Sequence, residues 1–250
     1  MIKWISHRGE SFDAPENSLA AFKLSMERQT DGMECDVHLT TDGKVVVCHD
    51  ASTLRTGSAF LQVEESSYAE LQQIHISGAY EDIYPDEKIP LLSETFQYLG
   101  KDREYYIELK GADTELVPAV KAVIEASGIN CDQIVFIAFS ETLIKEMKKA
   151  MPQCRALWLN SLIREYGRVT AEELIAKLKE LGVDGIDAAA NPDTDAELIK
   201  AVHDAGMIYA VWTIDNPYQA QHFINMGVDA VTSNRAAKLK ARYEGANANN

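Results

Sequence analysis

The sequence predicts an α/β fold, a TIM (β/α)8 barrel with a small excursion after the second strand unit. Three observations carry this. Short runs of branched apolar residues alternate with helix-patterned segments, eight such runs can be counted, and the 250-residue chain matches the ~250 residues usual for a closed barrel. An open doubly wound sheet shares this texture. However, no strand is followed by GxGxxG and no GxxxxGK[ST] occurs, so dinucleotide binding and nucleoside triphosphate hydrolysis lack their phosphate loops.

In chain order the barrel strands are expected at Ile2–Ser6, Met33–Leu39, Tyr105–Leu109, Ile134–Ala138, Ala156–Leu159, Gly185–Ala188, Ile208–Thr213 and Ala230–Thr232. Between them, Leu19–Met26, Leu116–Ala126, Thr142–Lys149, Ala171–Leu181, Ala196–Ala205 and Ala220–Met226 space apolar residues by three and four, as helices with one buried face do. Two stretches break the alternation. Thr41-Asp42-Gly43-Lys44 leads into a further short strand, Val45–His49. A two-residue Asp42-Gly43 turn there gives cross-strand partners summing to 85, which sets His49 opposite Asp36. Residues 51–101 form the excursion, with a helix around Tyr68–Ile74, a turn at Tyr84-Pro85-Asp86 and a second helix beginning near Ser93. It lies on the carboxyl side of a barrel strand, where ligands bind. Residues 1–244 read as a single domain and 245–250, small and polar, as a frayed tail.

A hydrophobic content of 46% supports a sizeable core and excludes a disordered or collagen-like chain. With 24 basic and 39 acidic residues the net charge is -15, and no lysine/arginine block occurs, so nucleic acid is excluded as a partner. The amino end is too short in its apolar run for a secretory signal, and no segment reaches the ~18 apolar residues of a membrane span. A cytoplasmic protein without stable membrane insertion is expected; a homo-oligomer is compatible with the sequence but not indicated. Cys35, Cys48, Cys131 and Cys154 form no close metal-type pair and are expected to be reduced. A Cys35–Cys48 bridge is geometrically conceivable, and the expected compartment argues against it.

The chemistry concentrates in Glu34-Cys35-Asp36-Val37-His38 and His49-Asp50. Residues two apart on a strand share a face, so Glu34 and Asp36 project together while Cys35 and Val37 project oppositely. Charges on a barrel strand need partners or a metal, because both faces are buried. Glu108 ends the next barrel strand with Lys110 on its face. Glu34, Asp36 and Glu108 thus offer three hard oxygen ligands, which suit one divalent cation, Mg²⁺ or Ca²⁺, better than Zn²⁺. The first strand ends in Ser6-His7-Arg8-Gly9, followed by Ala14-Pro15-Glu16-Asn17-Ser18. Taken alone, His7-Arg8-Gly9 is either a solvated turn before a helix capped at Asn17 or Ser18, or a phosphate-handling segment. His7 and His49 beside three carboxylates favour the second, supplying an acid, a base and a metal site. His38 shares the polar face of Asp36 and is either a structural residue or a supporting or substrate-contacting group. Trp212 is either a wall of the substrate pocket or a core residue. His203 and His222 lie in helical patterns and carry no chemistry.

Taken together, His7-Arg8-Gly9, Pro15-Glu16-Asn17-Ser18, Glu34-x-Asp36-Val37-x-Leu39-Thr40-x-Asp42-Gly43, Val46-Val47-x-His49-Asp50 and Glu108-Leu109-Lys110 resemble the glycerophosphodiester phosphodiesterase family. The resemblance runs from about Ile2 to Arg235 and includes Trp212-Thr213 and Gly227-Val228-Asp229. It implies a TIM barrel that hydrolyses small-molecule glycerophosphodiesters, such as glycerophosphocholine or glycerophosphoethanolamine, to glycerol 3-phosphate and an alcohol. It further implies metal ligation by Glu34, Asp36 and Glu108, catalysis by His7 and His49, and substrate binding by Arg8 and Lys110. Ser18 departs from the family's usual threonine, Glu10 stands where a small residue is common, and Ser233-Asn234-Arg235-Ala236 replaces a common Thr-Asp-x-Pro.

Overall fold

The computed structural model describes residues 2–163, 168–192 and 194–247. Strand β1 (Lys3–Ser6) leads through the His7–Ser18 segment to helix α1 (Leu19–Glu27), whose first turn is capped by Ser18 accepting from the Ala21 N–H. Then come β2 (Gly32–Leu39), β3 (Val45–Val47) and an excursion with two single-turn helices, α2 (Tyr68–Leu71) and α3 (Leu92–Thr95). The alternation resumes with β4 (Glu104–Leu109), α4 (Leu116–Ser127), β5 (Ile134–Ala138), α5 (Glu141–Ala150), β6 (Arg155–Asn160) and α6 (Ala171–Leu181). It finishes with β7 (Gly185–Ala189), α7 (Ala196–Asp204), β8 (Ile208–Trp212), α8 (Pro217–Met226), β9 (Ala230–Ser233) and α9 (Ala236–Asn247).

The sheet runs β1-β9-β8-β7-β6-β5-β4-β2-β3, with an added β1–β2 pairing that closes it. All pairings are parallel except β2–β3, so eight strands make the (β/α)8 barrel and β3 lies outside it as a hairpin arm. Strand alternation divides the side chains between two cores. Met33, Cys35, Val37, Ile107, Phe136 and Ile186 face the helical layer, while Ile5, Tyr106, Val135, Ile137, Leu157, Leu159, Ala210 and Ala230 fill the barrel. A third cluster under the excursion contains Val46, Cys48, Val63, Leu71, Ile76 and Ile89, with Leu61 packed against it. Each fully buried aliphatic side chain of this kind contributes about 1.5–3 kcal/mol.

The hairpin departs from the expected register. Val37 pairs with Val47, His38 with Val46 and Leu39 with Val45, so partner numbers sum to 84 rather than 85. The loop has three residues: Thr40 N–H donates to Lys44 O and Gly43 N–H to Thr40 O, both at 3.0 Å. Gly43 adopts φ +72°, the left-handed bulge position of a three-residue hairpin. The Thr40 hydroxyl favours this longer loop, donating to Asp42 Oδ1 at 2.7 Å and accepting from Lys44 N–H at 2.9 Å. Asp36 therefore meets Cys48, whose N–H donates to its carbonyl, and His49 lies beyond the strand.

Helix α9 was not expected from the sequence. It packs along β1 with Tyr243 tilted on Trp4, centroids 5.9 Å apart, and reaches Asn247, into the segment expected to fray; 248–250 lie outside the described residues. All four cysteines are free, Cys35, Cys48 and Cys154 buried and Cys131 half-buried. Among the described residues no helix is long and apolar enough to cross a membrane.

Candidate active site

Period-two alternation turns Glu34 and Asp36 of β2 into the barrel, and parallel register sets Asp36 beside Glu108 of β4. One carboxylate oxygen from each of Glu34, Asp36 and Glu108 lies within 4.8 Å of the others, and all three residues are buried. Asp36 is held by Asn17 Nδ2 donating to Oδ2 at 2.9 Å and by Arg8 Nε at 3.3 Å. Its Oδ1, 3.5 Å from Lys110 Nζ, accepts no hydrogen bond from the described residues. Lys110 donates to Glu108 Oε1 at 2.8 Å, and Arg8 N–H to Glu34 Oε2 at 2.8 Å.

Electrostatics separate the three carboxyls. Burial raises Asp36, but Arg8, Lys110 and His49 outweigh it and hold the group at about 2. Burial and the Asp36 charge push Glu108 up to about 7, against Lys110. Burial, then Asp36, drives Glu34 well above the ordinary carboxylate range. Three acids this close repel one another unless a cation or protons intervene. With its crowded hard oxygens and an orphaned buried Asp36 oxygen, the triad forms a divalent-cation site of the Mg²⁺ or Ca²⁺ class.

The imidazoles are oriented from outside. His7 Nδ1 bonds Asn234 Oδ1 at 2.7 Å, while the Asn234 Nδ2 donates to Asp215 Oδ2 at 2.6 Å. Asn234 thereby presents its carbonyl to His7, so Nδ1 carries the proton in the neutral ring. His7 Nε2 lies 3.9 Å from Glu34 Oε2. Burial and the Arg8 charge lower His7 to about 4, leaving it neutral at physiological pH. His49 Nδ1 bonds Asp50 Oδ1 at 2.6 Å, and burial also lowers this histidine. Arg55 Nε donates to Asp50 Oδ2 at 2.7 Å and its guanidinium grips Glu16 at 2.5 and 2.8 Å. Glu16 in turn accepts from Arg8 Nη1 at 2.8 Å, so one ladder of ion pairs links His49 to Arg8 and Asp36. His38 bonds Glu64 through Nδ1 at 2.8 Å and the His49 carbonyl through Nε2 at 3.4 Å, a supporting position beneath the loop.

A cavity of about 80 Å³ is lined by His7, Arg8, Glu34, His49, Glu108 and Trp212, among others. Asp36 and Lys110 lie outside this lining and contact Arg8 and Glu108, which belong to it. Trp212 donates through Nε1 to the Asp187 carbonyl at 3.1 Å and meets Phe139 edge to face at 5.6 Å; it is a pocket wall. Sequence reasoning missed Asp187, Thr232, Arg55, Asp215 and Asn234 as parts of the site. The departure at Ser233-Asn234 carried a signal for the last, and Asp187, an acid inside an apolar strand run, could have been found by the alternation that exposed Glu34 and Asp36.

Three buried carboxylates flanked by two cations and two imidazoles, at the carboxyl end of a (β/α)8 barrel, define a metal-dependent hydrolase of phosphate esters. The Glycerophosphoryl diester phosphodiesterase family model matches residues 7–238, and the chain belongs to that family. It is 29% identical over 236 residues to the glycerophosphodiester phosphodiesterase of Caldanaerobacter subterraneus subsp. tengcongensis, covering 91% of each chain. It is 24% identical over 251 residues to that of Bacillus subtilis, covering 93% of this chain and 83% of the other. Among solved structures, an Oleispira antarctica phosphodiesterase in complex with the product sn-glycerol-3-phosphate superposes with a TM-score of 0.87 at 25% identity, covering 96% of both chains. The protein is accordingly an enzyme, a phosphoric diester hydrolase of the glycerophosphodiester type.

Proposed function

We propose that the enzyme cleaves small glycerophosphodiesters, such as glycerophosphocholine and glycerophosphoethanolamine, to glycerol 3-phosphate and the free alcohol by histidine acid/base catalysis. The observation that carries the reading is the pair of imidazoles beside the acidic triad, each with Nδ1 engaged by Asn234 or Asp50, which leaves Nε2 for the substrate. The glycerol 3-phosphate product of the Oleispira relative supports the same product here.

Glu34, Asp36 and Glu108 would hold a divalent cation, which when bound would supply charge neutralisation to the phosphoryl oxygens. Arg8 and Lys110 bind the non-bridging oxygens and offset the charge that redistributes as the diester is cleaved. His7, neutral through burial, takes the proton from the glycerol hydroxyl next to the phosphoester as its oxygen bonds to phosphorus. The bond from phosphorus to the alcohol oxygen breaks, and His49, lowered by burial but with Asp36 and Asp50 favouring its charged ring, gives that oxygen its proton from the protonated fraction. Water then opens the cyclic phosphate, its proton passing to His49 while His7 returns the first proton to the departing hydroxyl. Trp212 closes one side of the pocket against water.

The test is release of glycerol 3-phosphate by metal-stripped protein given Mg²⁺, Ca²⁺ or neither, with His49→Ala as control and a substrate lacking the neighbouring hydroxyl. Turnover that needs the cation, His49 and that hydroxyl is expected. Hydrolysis of the substrate without the hydroxyl would overturn the cyclic route, and a folded protein inert on both diesters would overturn the substrate assignment.

A further inference from the structure

One part of the cavity is used by neither the metal site nor the ion-pair ladder. Asp187 sits mid-strand in β7 with Ile186 and Ala188 facing the helices, so its carboxyl enters the barrel. It is 1% exposed, and its Oδ1 has no hydrogen-bond partner among the described residues. Thr232 of β9 lines the same cavity, is 2% exposed, and its Oγ1 is likewise without a partner. Buried polar atoms are nearly always paired, so two orphans in one cavity point to a ligand that pairs them. The register runs Asp187 to Ala210 to Ala230, and these small inward residues leave space beside the carboxyl. Leu159 lies next to Asp187 in register and the Trp212 indole is tied to the Asp187 carbonyl, while Glu108 and the two histidines line the same cavity.

We infer that Asp187 and Thr232 form a hydroxyl-pairing subsite that recognises the terminal hydroxyl of the substrate's glycerol and sets specificity for glycerol over diols that lack it. The assignment rests on the glycerophosphodiester reading above. The hydroxyl next to the phosphoester belongs at the histidines, so the terminal one lies a carbon further from phosphorus, in the part of the same cavity that Asp187 and Thr232 line. A carboxyl in either charge state, and a threonine hydroxyl, can pair an alcohol. A site built to bond a hydroxyl discriminates strongly against the analogue without it, because its buried polar groups are then left unpaired.

The experiment compares kcat/KM for glycerophosphocholine and for the phosphocholine ester of propane-1,2-diol, which keeps the neighbouring hydroxyl and lacks the terminal one. Choline is common to both, so the head group cannot supply the difference. Wild-type protein is expected to prefer glycerophosphocholine by on the order of tenfold to a hundredfold. Asp187→Ala is expected to bring glycerophosphocholine down to the level of the analogue while leaving the analogue almost unchanged. Thr232→Val is expected to lose part of the preference, and Asp187→Asn, which still pairs a hydroxyl, to keep part of it. Unchanged thermal stabilisation by Mg²⁺ checks that each variant is folded with its cation site intact; if Asp187→Ala does not fold, Asp187→Asn and Thr232→Val carry the comparison. Variants that slow both substrates equally and keep the preference would overturn the subsite. Wild-type protein inert on both substrates would instead overturn the substrate assignment on which it rests.

Discussion

The crowding of Glu34, Asp36 and Glu108 makes the cation-free protein unstable in a way that one substitution isolates. Glu108 is 8% exposed and is raised from 4.5 to about 7 by burial and by Asp36. For an acid raised in the folded state, the native protein binds protons more tightly than the unfolded chain. Its stabilising contribution is therefore full below 4.5 and lost as pH rises through about 7. At about 1.4 kcal/mol per tenfold change in proton affinity, the loss amounts to about 3 kcal/mol. His7 runs the other way: lowered from 6.5 to about 4, it adds stability above 6.5 that is lost as pH falls toward 4. The wild-type profile therefore partly cancels, and the informative quantity is the difference between wild type and Glu108→Gln. In urea unfolding of cation-free protein the two are expected to be nearly equal at about pH 4.5, with the variant more stable by about 3 kcal/mol at pH 8. Mg²⁺ at about 100 times its Kd is expected to stabilise wild type at pH 8 by about 2.7 kcal/mol and the variant far less. A variant less stable than wild type by the same amount at both pH values would refute the reasoning, since Glu108 would then act only through its bond to Lys110.

Three further outcomes are expected. His49→Ala lowers kcat by about 10²–10⁴-fold while the thermal shift given by Mg²⁺ persists; loss of that shift would make His49 part of the cation site. Asn17→Ala removes the buried bond to Asp36 Oδ2 and is expected to cost about 2 kcal/mol in chemical denaturation together with weaker Mg²⁺ binding by calorimetry. Gly9→Ala puts a Cβ 2.5 Å from the Ala21 carbonyl carbon at φ +75°, so it is expected to destabilise by about 2–4 kcal/mol; a loss under about 0.5 kcal/mol would show that the turn relaxes.

The fold and most of the site were legible because both follow from short-range periodicity. The apolar runs became the eight parallel strands with ends within a residue or two of expectation, and the period-two rule put Glu34 and Asp36 on one face and Cys35 and Val37 on the other. Helix α9 escaped although Ala236, Leu239 and Tyr243 are spaced for one buried face, because its polar positions between are dense and its packing partner, β1, lies at the far end of the chain. Beneath the excursion Ile76 is buried in the satellite core with Leu61 packed against it, whereas Phe60 stays exposed.

The sequence by itself determined which residue types stand at the strand ends, and so that a cation, an acid and a base could meet there. Closure of the barrel decided the rest. The hairpin register turned on a threonine hydroxyl that selects a three-residue loop where Asp42-Gly43 fits two lengths. The aim of His7 came from Asn234, a residue 227 positions away brought beside it by the β1–β9 pairing. Whether Asp187 faced helices or the barrel interior depended on the same closure, which set it in the cavity with no partner for its Oδ1 among the described residues. Periodicity reports what a strand turns to each side; only the closed sheet fixes which side is the inside.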